Sequence, residues 1–270
     1  MLWLILFFAL APHRIVSAAP SLTETLFALG AGDQIVGDTI YCNYPEAAKA
    51  KPKIGGYTTP DIEAILATRP DLVFMMKKGR PDIAQKLRGT GIDVVELQPE
   101  SLAGIYEEIQ TIAMKIGVPE KGRALIQSID KEVHAGAARP GGSKKPTVLF
   151  VVGRTPGTVS DLIAAGRGGY LNELIEFAGG ANIFADAAVP YPNVSMEDVI
   201  HRDPDVIIDM GHNEMVTERQ KQAVKQLWQK YSFLKAVKRG TVFPVSADYF
   251  VTPGPRVGLA VRDIRKLIGN

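Results

Sequence analysis

Ser17, Ser21 and Ser160 have no histidine at a spacing that would make any of them a nucleophile. The histidines are His13, His134, His201 and His212, too scattered to bring two imidazoles onto one metal, so no metal site is expected. A single cysteine, Cys42, cannot form an internal disulfide or a thiolate cluster and reads as a small buried residue. Gly30-Ala31-Gly32-Asp33 follows a helical stretch instead of a strand and so does not suit a dinucleotide. Gly153-Arg154-Thr155-Pro156-Gly157 does follow a strand, but it lacks the lysine and Ser/Thr of a phosphate loop. No catalytic residues are expected.

The chemistry these residue types can do is recognition. Tyr41, Tyr44, Tyr57, Met75, Met76, Tyr191, Tyr249 and Phe250 fall at or just after the ends of predicted strands. A tyrosine offers a broad apolar face and a hydroxyl, which suits a large flat ligand with polar edges, although each ring is equally able to anchor its own loop. Arg154 follows a strand, and Asp248 and Arg256 flank the rigid Thr252-Pro253-Gly254-Pro255 segment. These charges could fix amide, phosphate or carboxylate groups; Asp248 and Arg256 could equally pair with each other.

The elements that must carry these loops occur twice. Glu63-Ala64-Ile65-Leu66-Ala67-Thr68-Arg69-Pro70-Asp71-Leu72-Val73-Phe74 returns as Glu197-Asp198-Val199-Ile200-His201-Arg202-Asp203-Pro204-Asp205-Val206-Ile207-Ile208, with Glu seven residues before Pro-Asp in both copies. Each copy reads as a short helix, stopped by the proline and followed by a buried aliphatic strand. Leu22 to Gly30 similarly resembles Leu171 to Gly179, each after an apolar strand, and the strands Asp93–Leu97 and Thr241–Val245 each follow a glycine. Alternating strands and helices of this kind predict an α/β fold of two Rossmann-like lobes with parallel sheets and a ligand cleft between them.

Residues 13–100 and 144–270 form the predicted N-terminal and C-terminal lobes. Residues 101–143 form a helical connector, broken at Gly117-Val118-Pro119 and closed by Pro140-Gly141-Gly142-Ser143. A stiff helical link predicts little hinge opening on binding. The repeated Glu63 and Glu197 sit in first helical turns, where the helix dipole favours carboxylates; they also suit a pair of acidic knobs docking on a two-fold symmetric partner.

The 270 residues, 46% hydrophobic and 22% charged, can bury a sizeable core, and a net charge of +2 with interspersed signs offers no field to gather nucleic acid. Residues 1–12 form an apolar run of signal-peptide length without the positive start or small-residue cleavage site, and read as a residual leader or incomplete signal segment. An apolar first segment on a cytosolic protein is the other reading.

Over residues 13 to the C-terminus the chain resembles the helical-backbone (class III) periplasmic solute-binding proteins of ATP-binding-cassette importers. Arg14-Ile15-Val16-Ser17 with Pro20-Ser21-Leu22-Thr23-Glu24 is similar to the family's opening strand and helix, and Glu63 to Val73 to its first docking segment. Gly179-Gly180-Ala181-Asn182-Ile183-Phe184 with Ser195-Met196-Glu197 is similar to the second. Within the family the cobalamin-binding branch matches best, through Tyr41-Cys42-Asn43-Tyr44-Pro45, Val189 to Ser195, and Ser246 to Phe250 with Pro255-Arg256.

The resemblance implies a periplasmic or otherwise extracytoplasmic, non-enzymatic monomer. Tyr41, Tyr57, Met76, Arg154, Tyr191, Asp248, Tyr249 and Arg256 would touch ligand, and Glu63 and Glu197 would form salt bridges with a permease in the inner membrane. Tyr57, Met76 and Tyr191 stand where the cobalamin binder carries tryptophan, which leaves haem, with Tyr41 or Tyr57 as axial ligand, or a ferric siderophore as alternatives. A two-lobed α/β enzyme or a signalling receptor of the same fold are further alternatives.

Overall fold

The computed structural model describes residues 14–77, 81–135, 144–211 and 217–269, so the leader, His13, the end of the predicted connector and His212 lie outside the described residues. The chain divides into two compact units: residues 1–99 with 104–127, and residues 100–103 with 128–270. Among the described residues no helix is long and apolar enough to cross a membrane.

Unit 1 is built from β1 (Ile15–Ser17), α1 (Pro20–Ala28), β2 (Ile35–Asp38), α2 (Ile62–Ala67), β3 (Leu72–Met76), α3 (Pro81–Gly89) and β4 (Asp93–Leu97). Its four strands are all parallel, in the order β2-β1-β3-β4. Successive side chains on a strand face opposite ways. Ile15, Leu72 and Phe74 therefore join one core with Leu22 and Leu26, while Val16, Val73 and Met75 join another with Ile65, Ile83 and Leu87. Both faces being covered explains why these strands read as unbroken aliphatic runs.

The predicted helical connector consists of α4 (Leu102–Lys115) and α5 (Pro119–His134). Gly117, at φ 76°, stops α4: its N–H donates to the Met114 carbonyl and that of Val118 to the Ala113 carbonyl, after which Pro119 opens α5. The inner face of α4 places Ile112, Ala113 and Ile116 on the core of unit 1, so this helix forms a layer of that unit.

Unit 2 contains β5 (Thr147–Gly153), β6 (Leu162–Ala164), α6 (Tyr170–Phe177), β7 (Ala181–Asn182), β8 (Asn193–Val194), α7 (Met196–Arg202), β9 (Val206–Asp209), α8 (Glu218–Gln229), α9 (Lys235–Lys238), β10 (Val242–Pro244) and α10 (Val257–Leu267). The sheet order is β10-β9-β5-β6-β8, with β7 also on β5. β5, β7, β9 and β10 run parallel. β6 pairs antiparallel with both β5 and β8, so β6 alone runs against the other strands and this sheet is mixed. After β5 the chain reverses through Pro156-Gly157, with Gly157 at φ 74° and Asp161 at φ 53°, and a direct reversal without a crossover helix can only pair antiparallel.

The sequence repeat is also a repeat of hydrogen bonds. The carboxylate of Asp71 accepts from the Arg14 backbone N–H at 3.1 Å, and that of Asp205 from the Thr147 N–H at 3.0 Å. Each aspartate N–H in turn donates to the carbonyl of that same residue. Arg69 and Asp203, the residues before the two prolines, share a left-handed backbone at φ 47° and 40°. Proline disfavours the right-handed helical region in the residue before it, and both copies end their helix with the same departure.

Candidate functional site

In unit 1 the loops after β2 and before α2 are tied together. The Ile40 N–H donates to the Gly55 carbonyl at 3.1 Å, and a side chain on Gly56 would come within 3.7 Å of the Tyr41 ring. Tyr41 and Tyr57 are thereby brought into one neighbourhood, Tyr41 56% exposed and Tyr57 also exposed. Met76, at the end of β3, packs partly buried against the core.

Beneath Tyr41 lies a buried polar cluster. Lys53 Nζ donates to Asp38 Oδ1 at 2.7 Å, and the Cys42 thiol sits 3.2 Å from the Thr23 hydroxyl and 3.1 Å from that of Thr39. The Thr23 hydroxyl also lies 2.7 Å from that of Ser17. Burial raises the Asp38 carboxyl to about 6, against the opposing pull of the Lys53 ammonium. Burial likewise pushes the Cys42 thiol up, which leaves it a packing and hydrogen-bonding group.

In unit 2 Tyr191 is 44% exposed, while its hydroxyl end is buried against Tyr170, whose own hydroxyl donates to the Phe250 carbonyl at 2.6 Å. That burial lifts the Tyr191 phenol to about 12. Arg256 donates to Asp248 at 2.8 Å and lies 5.5 Å from the centre of the Tyr249 ring, so the pairing that the sequence left open is made. The Tyr249 hydroxyl donates to Asp263; burial first, then that carboxylate, raises it to about 12. Tyr191 and Tyr249 therefore remain neutral phenols near pH 7, able to stack and to hydrogen-bond.

Arg154 takes a different position. It is 7% exposed, with Nε donating to both oxygens of the buried Asp209 at 3.0 and 3.2 Å and Nη1 to the Thr158 carbonyl. Asp209 also accepts from the Trp228 indole at 2.8 Å and the Gly211 N–H at 2.7 Å. The guanidinium is committed inside unit 2.

Glu63 and Glu197 are exposed in the first turns of α2 and α7. Capping falls to their neighbours: Asp61 accepts from the N–H groups of Glu63 and Ala64, and Ser195 and Asp198 form a reciprocal box. Among the described residues neither glutamate is in an ion pair. A separate surface cavity of about 510 Å³ in unit 2, lined by Asp161, Leu162, Met196 and Tyr231 among others, contains none of the predicted ligand residues. Among the described residues no group of three or more His, Cys, Asp or Glu side chains is placed to hold a metal ion.

The family profile described as periplasmic binding protein matches residues 15–249. The chain belongs to the periplasmic binding protein family. A curated relative, the vitamin B12-binding protein of Vibrio cholerae serotype O1, is 29% identical over 255 residues, covering 93% of this chain and 87% of its own. The crystal structure of the periplasmic vitamin B12 binding protein BtuF of Vibrio cholerae superposes with a TM-score of 0.75 at 27% identity, over 96% of this chain and 97% of that one. The periplasmic heme-binding protein RhuT from Roseiflexus sp. RS-1, in apo form, superposes with a TM-score of 0.81 at 28% identity, over 95% and 97%. These relatives are binding proteins rather than enzymes, and they match nearly the whole of this periplasmic binding protein.

Sequence reasoning missed the buried polar residues Asp38, Asp209 and Tyr170. Asp38 and Asp209 each close an aliphatic strand, Ile35-Val36-Gly37-Asp38 and Val206-Ile207-Ile208-Asp209, and a carboxylate at that point is a readable sign of a buried polar centre. Tyr170 carried no sequence signal, because its partner, the Phe250 carbonyl, is 80 residues away.

Proposed function

We propose that this periplasmic binding protein is the extracytoplasmic capture component of an ATP-binding-cassette importer, a monomer that binds a cobalamin-type corrinoid and delivers it to the permease without catalysing a reaction. The observation that carries this is Tyr191: its hydroxyl is held against Tyr170 while the residue stays 44% exposed, which leaves apolar surface on which a flat macrocycle can stack. The vitamin B12-binding relatives support the choice of ligand. Tyr41, Tyr57 and Met76 from unit 1, with Tyr191, Tyr249, Asp248 and Arg256 from unit 2, are assigned to ligand contact. Arg154 is assigned to support, through Asp209. No protein side chain need ligate cobalt.

Haem is the second reading, favoured by the exposed Tyr41 and Tyr57 phenols and by the heme-binding neighbour. Isothermal titration with cyanocobalamin and then hemin tests both. One-to-one saturation by cyanocobalamin alone is expected; a Soret shift and heat with hemin alone would move the assignment to haem. The permease contact is assigned to Glu63 and Glu197, as charges available to arginines on two equivalent subunits.

A further inference from the structure

Leu66 and Ile200 are exposed large aliphatic side chains, at 36% and 38%, on α2 and α7. Each follows its glutamate by three residues, which places it on the glutamate's face of the helix. The neighbouring Ile65 and Val199 point inward and are buried, so the amphipathic pattern is satisfied without Leu66 or Ile200, and a polar residue would serve folding as well at either place. One exposed leucine requires no explanation. The same carboxylate and aliphatic pair at the same register of both copies, where the intervening residues differ (Ala64-Ile65 against Asp198-Val199), does.

Resting on the permease-docking reading, we infer that each docking knob is two-part. Glu63 with Leu66, and Glu197 with Ile200, meet two copies of one surface on an integral membrane partner, each copy presenting an arginine or lysine beside an apolar side chain. Charge complementarity identifies the cation: among the described residues neither glutamate is ion-paired, and the helix caps are made by Asp61, Ser195 and Asp198. The aliphatic members supply a contact that salt does not screen, whereas the carboxylates supply one that it does.

The test measures binding of the full chain, preloaded with cyanocobalamin, to nanodiscs carrying the importer's permease, at low salt and at about 0.5 M sodium chloride, where screening leaves a Debye length of only a few ångströms. Leu66→Ser and Ile200→Ser are each expected to weaken binding about fivefold at both salts, and together to abolish what the parent retains at high salt. Leu66→Met should restore it. Glu63→Gln with Glu197→Gln should instead remove most of the salt dependence. If the serine variants bind as the parent does while the glutamine variants bind weakly, the two-part knob is wrong and the docking reading stands. Parental binding by the glutamine variants would overturn the docking reading itself. Unchanged cyanocobalamin titrations certify that each variant is folded.

Discussion

Tyr170 is buried, and its single hydroxyl links the open ring of Tyr191 to the backbone at Phe250. Tyr170→Phe keeps the ring packing but leaves the Phe250 carbonyl without that donor and Tyr191 free to turn. A lost buried hydrogen bond of this kind is worth about 1 kcal/mol. Cyanocobalamin affinity should fall by severalfold in Tyr170→Phe and by more in Tyr191→Ala; parental affinity in the first with loss in the second would show that Tyr191 needs no such support. Asp209 is a more demanding centre. It is buried and receives Arg154, Trp228 and Gly211 together, so Asp209→Ala strands a guanidinium and an indole N–H. A loss of roughly 3–5 kcal/mol in urea unfolding is expected, and a change under 1 kcal/mol would mean that water reaches Arg154.

At the scale of elements, the same physics decides what was readable. The α2–β3 and α7–β9 units were legible because helix period, proline stop and aliphatic strand coincide within twelve residues in each copy, and no long-range contact is needed to specify them. β6, β7 and β8 were not legible: two or three residues carry no period, and they are strands only because β5 pairs with β6 and β7, and β6 in turn with β8. The carboxylate of Glu108 was equally hidden, since α4 looks amphipathic around it. In the structure Glu108 is buried with both oxygens lacking a hydrogen-bond partner, and burial raises its carboxyl to about 8. Between the ordinary value near 4.5 and that point the folded chain holds a proton that the unfolded chain has released, so stability is full at the acid end and is lost as pH rises through the window. The loss is on the order of 4 kcal/mol by pH 8. Asp38, raised to about 6, adds a slope of the same sign below that pH. Urea unfolding from pH 5 to pH 8 should show this decline, and Glu108→Gln should flatten it above pH 6; a parent whose stability rises over that range would contradict the assignment.

Taken as a whole molecule, and on the proposed function, the two copies of one supersecondary unit separate recognition from docking within each unit. The open rings belong to segments joined to the carboxyl ends of strands, where an α/β sheet presents its loops. Glu63 and Glu197 belong to the first turns of α2 and α7, and the strand that follows each helix is bonded to its neighbour through Asp71 or Asp205. A rigid connection of that kind allows one function to be lost without the other. Glu63→Gln with Glu197→Gln should leave the cyanocobalamin isotherm and the thermal midpoint unchanged while cutting uptake of labelled cyanocobalamin by cells about tenfold or more. Tyr191→Ala should weaken the isotherm, and uptake in those cells should recover when external ligand is raised, because affinity and not delivery is limiting. Ligand that binds only the folded chain stabilises it by about 2.7 kcal/mol at one hundred times its dissociation constant, so the thermal shift on adding cyanocobalamin should survive both glutamine substitutions and shrink in Tyr191→Ala. A glutamine variant that loses the ligand-induced shift would mean that the docking helices also shape the ligand site, and the separation of the two tasks would be wrong.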